Sequence, residues 1–221
     1  MIKAVIFDFD GLIIDTETAW YQAFEDVFRD NDVEFPLEVF VKCIGTDDTL
    51  LNQFIAENIG IENMEIIKSL ANENHKTKME TIVIRDGVKD YLTLAKALGL
   101  KIGLASSSSR QWVEGYLKEL QIIDYFQVIK TRDDVANIKP DPALYLTALQ
   151  ALNVSANEAI AFEDSANGAT AAALAGIKCV IVPNEVTRNI EFGHYDLRIE
   201  SMSDMSLQQV ISYLERAPLL N

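Results

Sequence analysis

Basic residues are in the minority in this chain: 19 Lys and Arg stand against 34 Asp and Glu, a formal charge of −15 at pH 7. Nucleic-acid backbones are held by clustered Lys and Arg, so nucleic acid is excluded as an expected partner. A small phosphorylated ligand is not excluded, because a bound cation reverses the local sign. Cysteine is sparse as well. Cys43 and Cys179 lie far apart and match no metal spacing, which leaves two free thiols in a reducing cytosol as the expectation. Long apolar runs are also missing. Lys3 is followed only by Ala4 to Phe7 before Asp8 and Asp10 intervene, too short for a secretory signal core, and nothing approaches a membrane span. Repeats and low-complexity segments are absent. With 49% hydrophobic and 24% charged residues over 221 positions, the expectation is a globular, cytoplasmic, monomeric protein with a substantial core.

What is present has a rhythm. Five short apolar runs, at residues 2–7, 102–105, 126–129, 159–162 and 179–182, read as strands buried on both faces. Helical stripes lie between the later ones. Val88, Tyr91, Leu92, Ala95 and Leu98 form one stripe, stopped by Gly99; Trp112, Val113, Tyr116, Leu117 and Leu120 form another. Asp141-Pro142 reads as a cap and first-turn proline, and the alanine-rich stretch 165–175 ends at Gly176. Strand alternating with helix predicts an α/β fold, a Rossmann-like parallel sheet with helices on both faces. A sixth edge strand at residues 197–199 and a helix near 205–214 complete it. A strand–helix–strand unit takes about 30 residues, and the interval from Phe7 to Ile102 is far longer. The excess carries its own stripes, Trp20, Phe24, Val27 and Phe28, then Leu50, Leu51, Phe54 and Ile55. It reads as a small helical cap at 16–82, dividing a core formed by 1–15 and 83–221.

Chemistry-bearing residues gather where strands end. Asp8-Phe9-Asp10-Gly11 follows the first strand, Ser106 to Ser109 the second and Glu163-Asp164-Ser165 the fourth, with Lys139-Pro140-Asp141 on a loop after the third. Open parallel sheets bind ligands outside those ends, so the segments should converge. Singly, each has a plainer reading as a turn, a helix cap or a solvated lysine; together they share one location. Asp8 and Asp10 repel unless a cation joins them, and a hard divalent ion with oxygen ligands, Asp164 among them, meets that need. Serine hydroxyls, the amides opening the helix after Ser109, and Lys139 suit a phosphoryl group.

These motifs resemble the haloacid dehalogenase superfamily. Asp8-Phe9-Asp10-Gly11-Leu12 is similar to its first motif, and Asp15-Thr16-Glu17 to the segment that follows it in the β-phosphoglucomutase-like branch. Ser106 matches the second motif, Lys139-Pro140-Asp141-Pro142 the third, and Glu163-Asp164-Ser165 with Gly168 and Gly176 the fourth. The resemblance spans essentially the whole chain, a helical C1-type cap between motifs one and two included. It implies a Mg²⁺-dependent phosphatase acting on a small phosphate monoester through a phospho-aspartate. In that reading Asp8 is the nucleophile and Asp10 the acid and base. Asp8, the main-chain carbonyl of Asp10 and Asp164 hold Mg²⁺, supported by Glu163, while Ser106, Ser107 and Lys139 bind the phosphoryl group.

Other activities fit less well. Asp10 disfavours dehalogenation, since true dehalogenases of the superfamily lack an aspartate there. β-Phosphoglucomutases carry a cap histidine where this chain reads Glu17-Thr18-Ala19-Trp20-Tyr21, and a cap arginine where it reads Gly45-Thr46-Asp47-Asp48. A phosphonate hydrolase needs a cap lysine, and the surroundings of Lys42 do not match. A receiver-type signalling domain is disfavoured by length, by the cap and by Asp10. Hydrolysis of a sugar phosphate or similar small ester is the expectation, with a sugar phosphomutase as its alternative.

Overall fold

The computed structural model describes residues 1–44 and 49–216. Six strands, β1 (Ala4–Phe7), β2 (Lys101–Ala105), β3 (Val128–Lys130), β4 (Ala159–Glu163), β5 (Lys178–Ile181) and β6 (Leu197–Arg198), form one sheet in the order β3-β2-β1-β4-β5-β6. Every pairing is parallel. From β1 the chain builds outward on one side and then restarts at β4 on the other, so the order reverses between β1 and β4. In open parallel sheets the ligand crevice lies at such a reversal, outside the carboxyl ends of the strands.

Alternation along β1 divides the core. Val5 and Phe7 face one side with Ile102, Leu104, Ile160 and Phe162, where α5 (Val88–Ala97), α6 (Arg110–Glu119) and α9 (Leu207–Arg216) cover them. Ala4 and Ile6 face the other with Ala105, Ala159 and Ala161, under α7 (Ala143–Leu152) and α8 (Ala166–Leu174). Each large apolar side chain fully buried there contributes about 1.5–3 kcal/mol. The small residues on the second face let the alanine-rich α8 approach closely.

Among the described residues, the stretch 16–82 holds four α-helices: α1 (Thr16–Arg29), α2 (Leu37–Cys43), α3 (Thr49–Asn58) and α4 (Met64–Met79). Asp15 caps α1 by accepting the Thr18 N–H at 3.1 Å, a contact worth about 1 kcal/mol. These helices bury a separate cluster in which Phe28 stacks on Phe35 at 4.6 Å and meets Phe54 edge-on at 5.2 Å. Val186, from a loop after β5, packs into the same cluster. Among the described residues no helix is long and apolar enough to cross a membrane.

Several edges differ from expectation for local reasons. The first strand starts at Ala4 because the Ile2 N–H is taken by Glu215 Oε1 at 2.8 Å. The third starts at Val128, since Phe126 closes a turn of 3-10 helix over Ile123–Tyr125. Pro142, not Asp141, is the N-cap of α7, and Asp141 Oδ1 instead accepts the Ala143 N–H at 2.9 Å.

Candidate active site

β1 delivers Asp8 directly into the crevice, its N–H still bonded to Phe162 O at 3.0 Å. The chain then turns over Phe9, whose carbonyl accepts the N–H groups of Leu12, Ile13 and Ile14. Gly11 sits in this turn at φ +76°, and a Cβ there would lie 2.0 Å from Asp164 Oδ2. Glycine is thus required twice, for the left-handed backbone and for the close carboxylate. β4 supplies Glu163 and Asp164 beside Asp8, and one oxygen from each of the three lies within 4.8 Å of the others.

Lys139 is the cation among them. Its Nζ donates to Asp8 Oδ1 at 2.5 Å and to Glu163 Oε1 at 2.6 Å, and it is only 5% exposed. The Tyr145 hydroxyl, from α7, also donates to Glu163 Oε1, at 2.5 Å. Burial works against the lysine's charge, but Asp8 and Glu163 outweigh it and hold the ammonium above its usual range. Burial raises Asp8 to about 8 despite Lys139, with Glu163 and Asp10 adding repulsion. Asp164 is also driven well up, first by burial and then by Asp8 and Glu163.

Three carboxylates against one ammonium leave a surplus of two negative charges when all are ionised. Asn184 Nδ2 donates to Asp164 Oδ2 at 2.8 Å, while Asp164 Oδ1 is buried and finds no hydrogen-bond partner among the described residues. A divalent cation with hard oxygen donors would restore the balance and satisfy that oxygen, so the donor set fits Mg²⁺.

The Asp10 carboxylate stands apart from this acidic cluster. Its Oδ2 accepts from Ser108 Oγ at 2.5 Å and sits 3.5 Å from Ser106 Oγ, while Oδ1 accepts the Trp112 indole N–H at 2.9 Å. The Ser109 side chain accepts the Trp112 backbone N–H and so caps α6, which commits one of the amides expected to cradle an anion. Ser106 Oγ accepts the Ser108 N–H at 3.0 Å. Ser107 lines the cavity with them.

That cavity, about 440 Å³, is bounded by Asp8, Asp10, Ser106, Ser107, Lys139 and Asp164 from the core, and by Thr16, Glu17, Trp20 and Ile44 from the helices above. Glu163 lies behind Lys139, fully buried. Burial, then Asp10 and Asp8, lifts Glu17 to about 8. All the residues expected to carry chemistry therefore converge. Trp112, Tyr145 and Asn184 were not among them, and Ser108, expected to face a phosphoryl group, instead donates to Asp10. Trp112 falls on an apolar helical stripe, as does Tyr145 with Leu144, Ala148, Leu149 and Leu152 in the helix that Asp141-Pro142 opens, and both read as core; the signal lay in their polar ends, since a buried indole or phenol needs a partner. Residues 45–48, where the cap arginine was sought, lie outside the described residues.

The family model for haloacid dehalogenase-like hydrolases matches residues 5–182. The chain belongs to that family. The protein YhcW of Bacillus subtilis (strain 168) is 49% identical over 216 residues, covering 97% of this chain and 98% of that protein. A phosphorylated carbohydrates phosphatase of Thermotoga maritima is 31% identical over 179 residues, 80% of this chain and 83% of its own length. A crystal structure of β-phosphoglucomutase from Clostridium difficile superposes with a TM-score of 0.74 at 25% identity, covering 97% of this chain and 98% of that one. The chain thus has an α/β fold with a helical cap, and its family and relatives make it a phosphoric monoester hydrolase.

Proposed function

We propose that this hydrolase removes phosphate from a small phosphorylated carbohydrate through a phospho-aspartate on Asp8. The observation that carries the reading is the Lys139 ammonium, buried between Asp8 Oδ1 and Glu163 Oε1 with Asp164 alongside. A buried carboxylate oriented by a lysine at a sheet's switch point is suited to in-line attack on an anionic phosphorus.

In the first step an Asp8 oxygen bonds to phosphorus and the bond to the ester oxygen breaks. Asp10 gives its proton to the departing oxygen. In the second step water attacks the acyl-phosphate, Asp10 takes the water's proton, and inorganic phosphate leaves with Asp8 restored. Ser106, Ser107 and Lys139 hold the phosphoryl oxygens. Asp8, Asp164 and the main-chain carbonyl of Asp10 would hold Mg²⁺, with Glu163 in support. When bound, the ion supplies Lewis-acid neutralisation of the phosphoryl charge.

The proposed division is a core of 1–15 and 83–221 with a cap of 16–82 that selects the leaving group. The described cap residues on the cavity wall, Thr16, Glu17, Trp20 and Ile44, include no basic side chain, although Lys68 lines an adjoining pocket. A mutase must hold a bisphosphate while it reorients, and basic groups suit that task. Hydrolysis is the reading these residues favour. The test follows both products from β-glucose 1-phosphate with a trace of sugar bisphosphate, alongside phosphate release from a panel of phosphorylated metabolites. Steady phosphate release without bisphosphate stimulation supports the proposal; faster accumulation of glucose 6-phosphate overturns it in favour of a mutase.

A further inference from the structure

We propose that Trp112 is a positioning residue for Asp10, its indole N–H setting the direction in which the acid–base carboxylate faces. The inference rests on the phosphatase reading above. A carboxylate anchored at one oxygen still pivots about that contact, whereas separate donors on its two oxygens fix its plane. Asp10 has both: Ser108 Oγ at 2.5 Å on Oδ2 and Trp112 Nε1 at 2.9 Å on Oδ1. The two differ in stiffness. A serine hydroxyl rotates freely, while an indole N–H is fixed by its ring and can only donate.

The ring itself is held from two directions. Trp112 lies in the first turn of α6, with its backbone N–H bonded to Ser109 Oγ at 3.3 Å. Tyr116, one turn later, meets the indole at 4.7 Å and 67°. On the cap side, the His75 ring lies 6.0 Å from it at 22°, and His75 stacks in turn on Trp20 at 3.7 Å and 7°. A residue serving only as an apolar spacer has no need of an N–H aimed at a catalytic carboxylate. Phenylalanine would fill the same stripe. The N–H is therefore the feature that distinguishes the two roles.

The experiment uses Trp112→Phe, which keeps a ring and removes the donor, with two substrates of different leaving group. An alkyl phosphate such as a hexose 6-phosphate needs its departing oxygen protonated; p-nitrophenyl phosphate releases a stable anion and needs little help. The readout is kcat/KM, which covers steps only up to leaving-group departure. Misplacing a catalytic group by about 1 Å costs up to about 10²-fold, so the alkyl substrate should lose about 10- to 100-fold, with inhibition by inorganic phosphate unchanged. The aryl substrate should lose less than about threefold. Equal losses on both substrates, or none, overturn the inference while leaving the phosphatase reading intact. If the unmodified hydrolase turns over neither ester, the phosphatase reading fails and the inference with it. A second measurement does not depend on that variant folding. The chain has two tryptophans, so two indole N–H proton resonances are expected, and Asp10→Ala should shift one upfield and speed its exchange. Two unmoved signals overturn the contact.

Discussion

Glu163 Oε2 occupies the place where a side chain on Gly168 would begin: a Cβ at that glycine would lie 1.8 Å from it. The residues are five apart, one ending β4 and the other in the first turn of α8. Ser165 Oγ links them, accepting the Gly168 N–H at 3.0 Å and donating to Glu163 Oε2 at 3.4 Å. The glycine is thus a packing requirement of the acidic cluster, inside a helix that on propensity alone would prefer alanine.

Gly168→Ala sets those two effects against each other. Alanine gains about 1 kcal/mol of helix propensity, and overpacking a closed site costs about 1–3 kcal/mol. The far end of Glu163 can move, but only by loosening its bonds to Lys139 and Tyr145. The expected outcome is a modest fall in melting temperature with a loss of turnover of about tenfold or more. A variant melting higher with full activity would show that Glu163 has room this packing denies it.

Removing divalent metal should stop turnover, and restoring Mg²⁺ should recover it, with Ca²⁺ a poor substitute because its looser coordination misplaces the reacting groups. A readout independent of activity is available. A Mg²⁺ ion held only by the folded chain would add about 2.7 kcal/mol of stability at about 100 times its dissociation constant. The melting temperature should rise by several degrees, and the rise should shrink in Asp164→Asn. An unchanged melting curve at millimolar Mg²⁺, with turnover undiminished by EDTA, contradicts the metal site.

His75 gives a pH dependence of known sign. It is 3% exposed, Nε2 has no hydrogen-bond partner among the described residues, and burial lowers its pKa from 6.5 to about 4. Between those values the unfolded chain binds more protons than the folded one, so stability rises with pH across this window and is lost as pH falls through it. The full difference is worth up to about 3 kcal/mol. With only two histidines in the sequence, proton NMR reads it directly: the His75 ring should stay neutral at pH 5.5. A midpoint for His75 near 6.5 contradicts the packing described for the Trp20–His75 stack.

Much of this was legible in the sequence, and the reasons are physical. Residues buried on both faces of a parallel sheet must be apolar along their length, so the strands announce themselves and the polar residues that end them stand out. That is how Asp8, Ser106, Glu163 and Asp164 were found. Boundaries slipped where a side chain replaced a ladder bond, as at Ile2, or a local turn intervened, as at Phe126. Trp112 and Tyr145 do lie on helices and pack against the core, but their polar contacts were not legible, because helical periodicity reports which face is covered and not where the N–H or O–H points. His75 was not singled out from the sequence, because its stacking on Trp20 arises only when α1 and α4 pack.

The most direct test of the central claim is to catch the phosphoryl group on the chain. Asp10→Asn, incubated with Mg²⁺ and p-nitrophenyl phosphate, retains the nucleophile and a leaving group that needs no acid, but has lost the base for the second step. Acid quenching followed by peptide mass spectrometry should find one phosphoryl group on Asp8, and none when Asp8→Asn is added to the same chain. Sustained phosphate release with Asp8 unmodified, or a phosphoryl group held by any other residue, would contradict the account.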